Sequence, residues 1–231
     1  MSNMNIDDSV NKNYKDKSSL DKSGFVLLTD VIPDILLEIR YYSTFNFVGE
    51  RIDGYKAPVA YLTKETAFAL KKANDDLKKQ GYIIEIFDAY RPQSAVEHFK
   101  RWAKDLGAIE MKPYYYPNVD KSELFNLGYI AEKSSHSRGA AVDLTIVDMM
   151  SGQELDMGSA FDFFGDISHS LHTEGLTETQ INNRRILRKA MTENGFKPLH
   201  EEWWHFSLEN EPYPNTYFDF PITIPKWEKS K

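Results

Sequence analysis

The stretch SSHSRGAAVD, residues 134–143, holds a histidine and an aspartate seven positions apart with a glycine between them. A straight helix would separate His136 from Asp143 by about 10.5 Å, and a straight strand would separate them by about 23 Å. Ligands of a single zinc ion lie within about 2.0–2.2 Å of it, so neither regular element can bring both side chains to one metal. The chain must turn between them, and Gly139 can adopt a left-handed conformation without steric cost.

The residues that follow this turn are predicted to form a strand. Val142, Leu144 and Ile146 recur at every second position, and Asp143 lies between them on the opposite side. We therefore expect His136 on the turn and Asp143 on the strand that the turn leads into.

A second cluster, EWWH at residues 202–205, follows some sixty residues later. A histidine or aspartate beside a glycine is usually only a turn residue, and a Glu-x-x-His pair is common by chance. In combination, however, the two clusters supply two imidazoles and one carboxylate for a metal, together with a spare carboxylate. Three protein ligands, an open position and a nearby base are the components of a catalytic zinc site.

Length and composition limit the classes of protein to consider. The 231 residues suit one domain with a sizeable core. Lys plus Arg is 28 and Asp plus Glu is 35, so the net charge of −7 argues against nucleic acid as a partner. There is no cysteine, which excludes disulfides and thiolate zinc sites, so any metal must be bound by histidine and carboxylate.

The first 23 residues are polar and lack the apolar centre of a secretory signal. We expect residues 1–23 to be a disordered leader and residues 24–231 to form a single domain. The sequence contains no run of eighteen apolar residues, so we expect neither a transmembrane helix nor a membrane partner. These features favour a cytoplasmic location.

Apolar periodicity and capping signals predict three helices. The first runs from Lys64 to about Gln80, and the second follows Pro92 and includes Leu106 on its apolar side. The third covers residues 177–194 and opens with a Thr-x-x-Gln capping box. Residues 107–133, rich in tyrosine and proline, are predicted to be a long loop that either walls a pocket or packs on the surface.

Arg91 is predicted to lie where the strand 82–87 gives way to the second helix. Such a junction is a typical site for a functional side chain held on a rigid base. On position alone, a surface arginine paired with a carboxylate is the more common outcome. Of the other histidines, His98 is predicted to face solvent on the second helix, and His169, His172 and His200 are expected to lie outside the metal centre.

The pattern Ser-x-His-x-x-Gly-x-Ala-x-Asp followed by Glu-x-x-His resembles the metallopeptidases of the D-alanyl-D-alanine peptidase and hedgehog-like group. The longer strings SSHSRGAAVDLT and EWWHF resemble the D-alanyl-D-alanine dipeptidases of the VanX type, and the resemblance extends from about residue 25 to 225. It implies an α+β fold in which an antiparallel sheet carries the zinc site and helices pack around it. The implied reaction is zinc-dependent hydrolysis of the small dipeptide D-Ala-D-Ala.

The resemblance also implies a role for each residue of the catalytic centre. His136, Asp143 and His205 would bind one Zn²⁺ ion. Glu202, selected by the Glu-x-x-His register, would be the general base. Arg91, in the string Asp-x-Tyr-Arg-Pro, would stabilise the oxyanion of the transition state.

Three further residues are expected to contact the substrate. By resemblance to a Met-Gly-x-x-Phe-Asp string, Asp162 would bind the substrate ammonium group through a charge-assisted hydrogen bond. Tyr41, in an aromatic-rich stretch that could equally be core packing, would lie near the substrate, as would Ser134.

Two other functions remain open from the sequence. A D,D-carboxypeptidase that trims peptidoglycan stem peptides would use the same centre in a more open cleft. A non-catalytic zinc-binding module would need neither Glu202 nor Arg91, so their presence argues against it. The sequence also leaves open whether the cell uses the activity for glycopeptide resistance or for recovery of D-alanine, and whether the chain forms a homo-oligomer.

Overall fold

A five-stranded sheet lies at the centre of the computed structural model, which describes residues 23–225. The strands are β1 Phe25–Leu27, β2 Leu36–Leu37, β3 Tyr61–Thr63, β4 Tyr82–Asp88, β5 Ala141–Asp148, β6 Phe196–Pro198 and β7 His205–Leu208. The central sheet has the order β2-β4-β5-β7-β6, and β1 pairs with β3 in a separate two-stranded ladder. Only the edge pair β2–β4 is parallel, so the strands around β5 form the predicted antiparallel sheet.

The α-helices of the described residues are α1 Leu28–Val31, α2 Lys64–Lys78, α3 Gln93–Lys104, α4 Lys112–Tyr115 and α5 Glu178–Glu193. The Thr63 side chain caps α2, and Thr177 with Gln180 forms the predicted capping box of α5. Since a cap satisfies backbone N–H groups that have no partner within the helix, these local signals correctly located the start of both helices. The prediction for Leu106 is wrong, because α3 ends at Lys104 and the Leu106 side chain is 58% exposed.

One face of the sheet packs into the core and the other carries candidate metal ligands. On one face Ile84, Leu144 and Phe206 are buried in the core, which the helices α2 and α5 help to close. On the other face Asp143 stands opposite His205 in the pairing of β5 with β7. The strand pairing thus brings two residues that are distant in sequence side by side, and the fold is the predicted α+β arrangement.

The burial of His98 was not predicted from the sequence pattern of its helix. This residue is 8% exposed, so the prediction that it faces solvent is wrong. Its Nδ1 accepts the backbone N–H of Asp53 at 3.1 Å, and its Nε2 lies 2.9 Å from an Oε atom of Glu50. A segment some 45 residues earlier in the chain packs over this side of α3. The spacing of apolar residues along α3 does not predict this contact.

Residues 1–22 and 226–231 lie outside the described residues, so the expected disorder of the leader remains a prediction. None of the helices found between residues 23 and 225 combines the length and the apolar composition that are needed to cross a bilayer.

Candidate active site

The turn between His136 and Asp143 has the predicted form. Residues 135–138 make one 3-10 turn, and the Ser134 side chain caps it by accepting the His136 N–H at 3.2 Å. Gly139 then adopts a left-handed φ of 71°. A Cβ atom at this position would lie 2.2 Å from the ring of Phe25, so both backbone conformation and space require glycine.

Three ligand atoms converge on one point beside β5. The Nε2 atom of His136 and the Nδ1 atom of His205 lie 3.2 and 3.0 Å from the Oδ1 atom of Asp143, and 3.1 Å from each other. Tetrahedral ligands at zinc distances would be separated by about 3.3 Å. The three separations are therefore close to what a zinc ion requires. All three residues are buried, so the triangle is also shielded from solvent.

The outer contacts of the two imidazoles leave their inner nitrogens free to bind a metal. The Nδ1 atom of His136 lies 2.7 Å from the carbonyl oxygen of Ala89, which can only accept, so Nδ1 carries the proton and Nε2 presents a lone pair. The Nε2 atom of His205 lies 3.1 Å from the hydroxyl of Ser207, which can accept its N–H. Such outer partners fix the orientation of metal-binding histidines, and the donor set fits a divalent metal such as zinc.

A second carboxylate, that of Glu202, borders this triangle without being part of it. Its Oε2 atom lies 3.6 Å from the Nδ1 atom of His205. The next residue, Trp203, donates its backbone N–H to the carbonyl of Ser168 at 2.9 Å, which fixes the chain at this point. Desolvation raises the pKa of the Glu202 carboxyl to about 7, a value suited to a group that exchanges protons near neutral pH.

Arg91 lies directly after β4 and approaches the centre from the other side. Its Nε donates to the Oδ2 atom of Asp88 at 2.9 Å, and its Nη2 donates to the Oδ2 atom of Asp143 at 3.4 Å. Asp88 is fully buried and also accepts the hydroxyl of Tyr55 at 2.6 Å. Asp88 begins the same Asp-x-Tyr-Arg-Pro string, but its role in orienting Arg91 was not predicted from the sequence.

Asp162 is buried at a separate point of the same cavity. Its φ of 60° is the only positive value among the non-glycine residues from 23 to 225, a strain of about 1–3 kcal/mol that persists only where surrounding contacts hold it. The Tyr41 hydroxyl donates to its Oδ2 atom at 2.9 Å. Burial, and then repulsion from Asp143 and Glu202, raises the pKa of the Asp162 carboxyl well above its usual range, so a cationic partner would favour its charged form.

A cavity of about 560 Å³ connects these groups. Its lining includes the three candidate substrate-binding residues, which are Tyr41, Ser134 and Asp162. It also includes the candidate catalytic and metal-binding residues, which are Arg91, His136, Asp143, Glu202 and His205. Residues 128–131 of the long loop form part of its wall, and the ring of Tyr129 stacks on that of Phe164 at 4.8 Å. Part of the loop therefore walls the pocket, which is the first of the two predicted arrangements.

The three remaining histidines do not line this cavity. His169 lies 3.8 Å from the carboxylate of Asp166, and the Nε2 atom of His172 lies 2.7 Å from the carbonyl oxygen of Glu174. His200 is near the carboxylate of Glu201, with 68% of its side chain exposed. All three thus lie outside the metal centre, as expected from the sequence.

Comparison with known proteins gives a consistent result. A family model described as D-ala-D-ala dipeptidase matches residues 21–223. The D-alanyl-D-alanine dipeptidase of Enterococcus faecium is 41% identical over 199 residues, which cover 86% of this chain and 98% of the relative. The dipeptidase of Enterococcus faecalis is 40% identical over 87% of this chain and 100% of the relative. The dipeptidase of Streptomyces coelicolor is 38% identical over 86% of this chain and 98% of the relative.

Proposed function

Since the chain belongs to the D-Ala-D-Ala dipeptidase family of peptidases, we propose that it hydrolyses D-Ala-D-Ala to two molecules of D-alanine with one zinc ion. The observation that carries this proposal is a single cavity containing a His-Asp-His triangle, a separate carboxylate beside it and a buried aspartate at another point. These groups match the needs of a small zwitterionic dipeptide, which has a peptide bond to cleave and an ammonium group to bind.

His136, Asp143 and His205 would hold the ion. When bound, zinc supplies Lewis acidity, which polarises a carbonyl group and makes a water molecule acidic near neutral pH. The support for this assignment is the chemistry of the donor set, because two imidazole nitrogens and a carboxylate oxygen lie 3.0–3.2 Å apart.

Glu202 acts as the general base in the proposed reaction. Its carboxylate accepts a proton as the water oxygen attacks the carbonyl carbon of the peptide bond. As the C–N bond breaks, the same carboxyl group delivers a proton to the nitrogen of the departing D-alanine. The raised pKa of Glu202 supports this role, since a base with a pKa near 7 can both accept and return a proton.

Arg91 stabilises the negative charge that develops on the carbonyl oxygen. Its contact with Asp88 leaves part of the guanidinium directed toward the metal-binding residues, where it already reaches Asp143. Asp162 binds the substrate ammonium group through one carboxylate oxygen, while its Oδ2 atom accepts the hydroxyl of Tyr41. Ser134, at the edge of the cavity, is assigned to the substrate-binding set.

The first test is the release of D-alanine from D-Ala-D-Ala by the zinc-loaded protein. A stem pentapeptide that ends in D-Ala-D-Ala should be cleaved much more slowly, because Asp162 is buried and its ammonium partner would be absent from the penultimate residue. Preferred cleavage of the pentapeptide would favour the D,D-carboxypeptidase alternative. Stoichiometric zinc binding without cleavage of either peptide would favour the non-catalytic module.

Changing Arg91 to lysine is expected to lower kcat by roughly 10²- to 10³-fold, the usual effect of losing one donor to a developing oxyanion. A lysine ammonium cannot reproduce the planar fork that contacts Asp88 and Asp143 together. Steady-state kinetics on D-Ala-D-Ala measure the loss. Arg51→Lys, at an exposed arginine outside the cavity, is the matched control. A change in kcat of only a few fold in Arg91→Lys would contradict this assignment.

Changing Asp162 to asparagine is expected to raise KM about 10- to 100-fold, because a hydrogen bond between charged groups contributes roughly 1.5–3 kcal/mol. Asparagine has nearly the same shape and tolerates a positive φ, so the backbone at this position need not change. The exposed Asp166→Asn serves as the control for loss of one charge in the same loop. An unchanged KM in Asp162→Asn would show that this carboxylate does not bind the ammonium group.

A further inference from the structure

Arg184 is a charged side chain buried inside the protein. It belongs to α5 and is only 5% exposed. Within residues 23–225 no carboxylate forms an ion pair with it, and its guanidinium instead donates to the carbonyl oxygens of Met157 at 2.6 Å, Ile167 at 2.8 Å and His169 at 3.1 Å. Desolvation lowers its pKa to about 10, so it still carries its charge near neutral pH.

The three carbonyl groups lie at the two ends of one loop. Met157 is at its beginning, and Ile167 and His169 are at its end. One rigid guanidinium therefore ties both ends of residues 157–169 to the same point on α5, as only a planar fork with several donors can do. Asn183, the preceding residue of the helix, adds a bond from its Nδ2 atom to the carbonyl of Asp156 at 2.9 Å.

This loop carries Asp162, the residue with the strained backbone. Loop contacts must hold that strain, and Tyr41 bonds only to the side chain. Within the loop, the Ser168 hydroxyl donates to the carbonyl of Phe163 at 2.6 Å. The backbone N–H of Phe163 donates to the carbonyl of Ala160 at 3.3 Å, and Arg184 holds together the two loop ends between which these bonds form.

The same loop is joined to the segment that carries Glu202. The hydroxyl of Ser159 lies 3.5 Å from the Nη2 atom of Arg184 and accepts the indole N–H of Trp203 at 3.0 Å. Trp203 also bonds through its backbone to the carbonyl of Ser168. A shift of the loop ends would therefore change where Asp162 lies relative to Glu202.

We propose that Arg184 is a positioning residue for substrate recognition, which clamps residues 157–169 so that the Asp162 carboxylate meets the ammonium group of the dipeptide while its peptide bond faces Glu202. This inference rests on the proposed function and extends it to a residue outside the cavity lining. Arg184 touches no substrate atom and acts through the backbone of the loop.

The decisive experiment is a double-mutant cycle between Arg184→Lys and Asp162→Asn. Lysine keeps the charge but cannot reach three carbonyls, so we expect KM for D-Ala-D-Ala to rise about tenfold or more, since small misplacements of positioning groups can cost up to about 100-fold. In the Asp162→Asn background the same change should alter KM by less than about twofold, because coupled residues are not additive. Arg185→Lys, at the exposed neighbour on the same helix, should leave KM unchanged in both backgrounds.

Equal KM factors in both backgrounds would overturn the proposal, because a merely structural effect would not depend on Asp162. Amide hydrogen exchange gives a second readout that does not require activity. In Arg184→Lys the amides of Phe163 and Ser168 should exchange faster while those of β4 and β5 keep their protection. Unchanged exchange at the two loop amides would also overturn the clamp.

These measurements distinguish a failure of the proposed function from a failure of the proposed clamp. A wild-type protein that does not hydrolyse D-Ala-D-Ala would contradict the proposed function, and hydrogen exchange would still decide whether Arg184 clamps the loop. If Arg184→Lys does not fold, Ser159→Ala removes the hydroxyl shared by Arg184 and Trp203. Ser159→Ala should raise KM in the same Asp162-dependent way, and an unchanged KM in this variant would count against the proposal.

Discussion

Replacing Glu202 by glutamine is expected to lower kcat by roughly 10²- to 10⁴-fold, the range for loss of a general acid–base group. Glutamine keeps the size of the side chain but cannot take a proton from the attacking water. The carboxylate is 3.6 Å from His205 and outside the triangle of ligand atoms, so the bound zinc should stay at one equivalent. The expected signature is thus a large fall in turnover without loss of metal.

The test combines kinetics on D-Ala-D-Ala with zinc analysis of the same sample. Glu201→Gln is the matched control, because Glu201 is the adjacent carboxylate, with 44% of its side chain exposed and an imidazole partner in His200. Turnover of Glu202→Gln within tenfold of wild type would assign the base to another group. Loss of zinc from the same variant would instead make Glu202 part of the metal site.

Replacing His136 by alanine is expected to weaken zinc binding by more than about 100-fold, since loss of an outer partner alone typically costs about 10- to 100-fold. The change removes one of three buried ligand atoms and leaves Asp143 and His205 to hold the ion. Hydrolysis of D-Ala-D-Ala should fall with metal occupancy. Competition with a chelator measures the affinity independently of activity.

His172→Ala is the appropriate control, because His172 lies outside the cavity and its imidazole lies 2.7 Å from the carbonyl oxygen of Glu174, away from the metal centre. It should keep both its zinc and its turnover. If His136→Ala still bound zinc with wild-type affinity, the metal would have to be bound by a different set of residues. A circular dichroism spectrum like that of wild type would show that the variant is folded.

Much of the fold near the centre could be predicted because the constraints there are local. His136 and Asp143 are too close in sequence for any straight element to bring both to one metal, so a turn was required, and Gly139 was the residue able to make it. The first residues of α2 and α5 followed from side-chain caps that act within three residues.

What could not be predicted depends on contacts between distant segments. His98 is buried because Glu50 and Asp53 fold over α3. Asp88 orients Arg91 with one carboxylate oxygen, while the other accepts the hydroxyl of Tyr55 from a distant part of the chain. Arg184 lies on a predicted helix, but arginine is so rarely buried that its position in that helix did not indicate burial.

The register of β5 and β7 determines how freely the rest of the domain can diversify. Asp143 faces His205 across one ladder, so the register of this pair sets how the two donors lie relative to each other, whatever the length of the chain between them. Within this stretch, the residues of the 157–169 loop around Asp162 could exchange sequence between homologues while the ladder stays in place. Chimeric enzymes built by grafting such segments should then acquire new peptide preferences while inheriting an unchanged metal-binding frame.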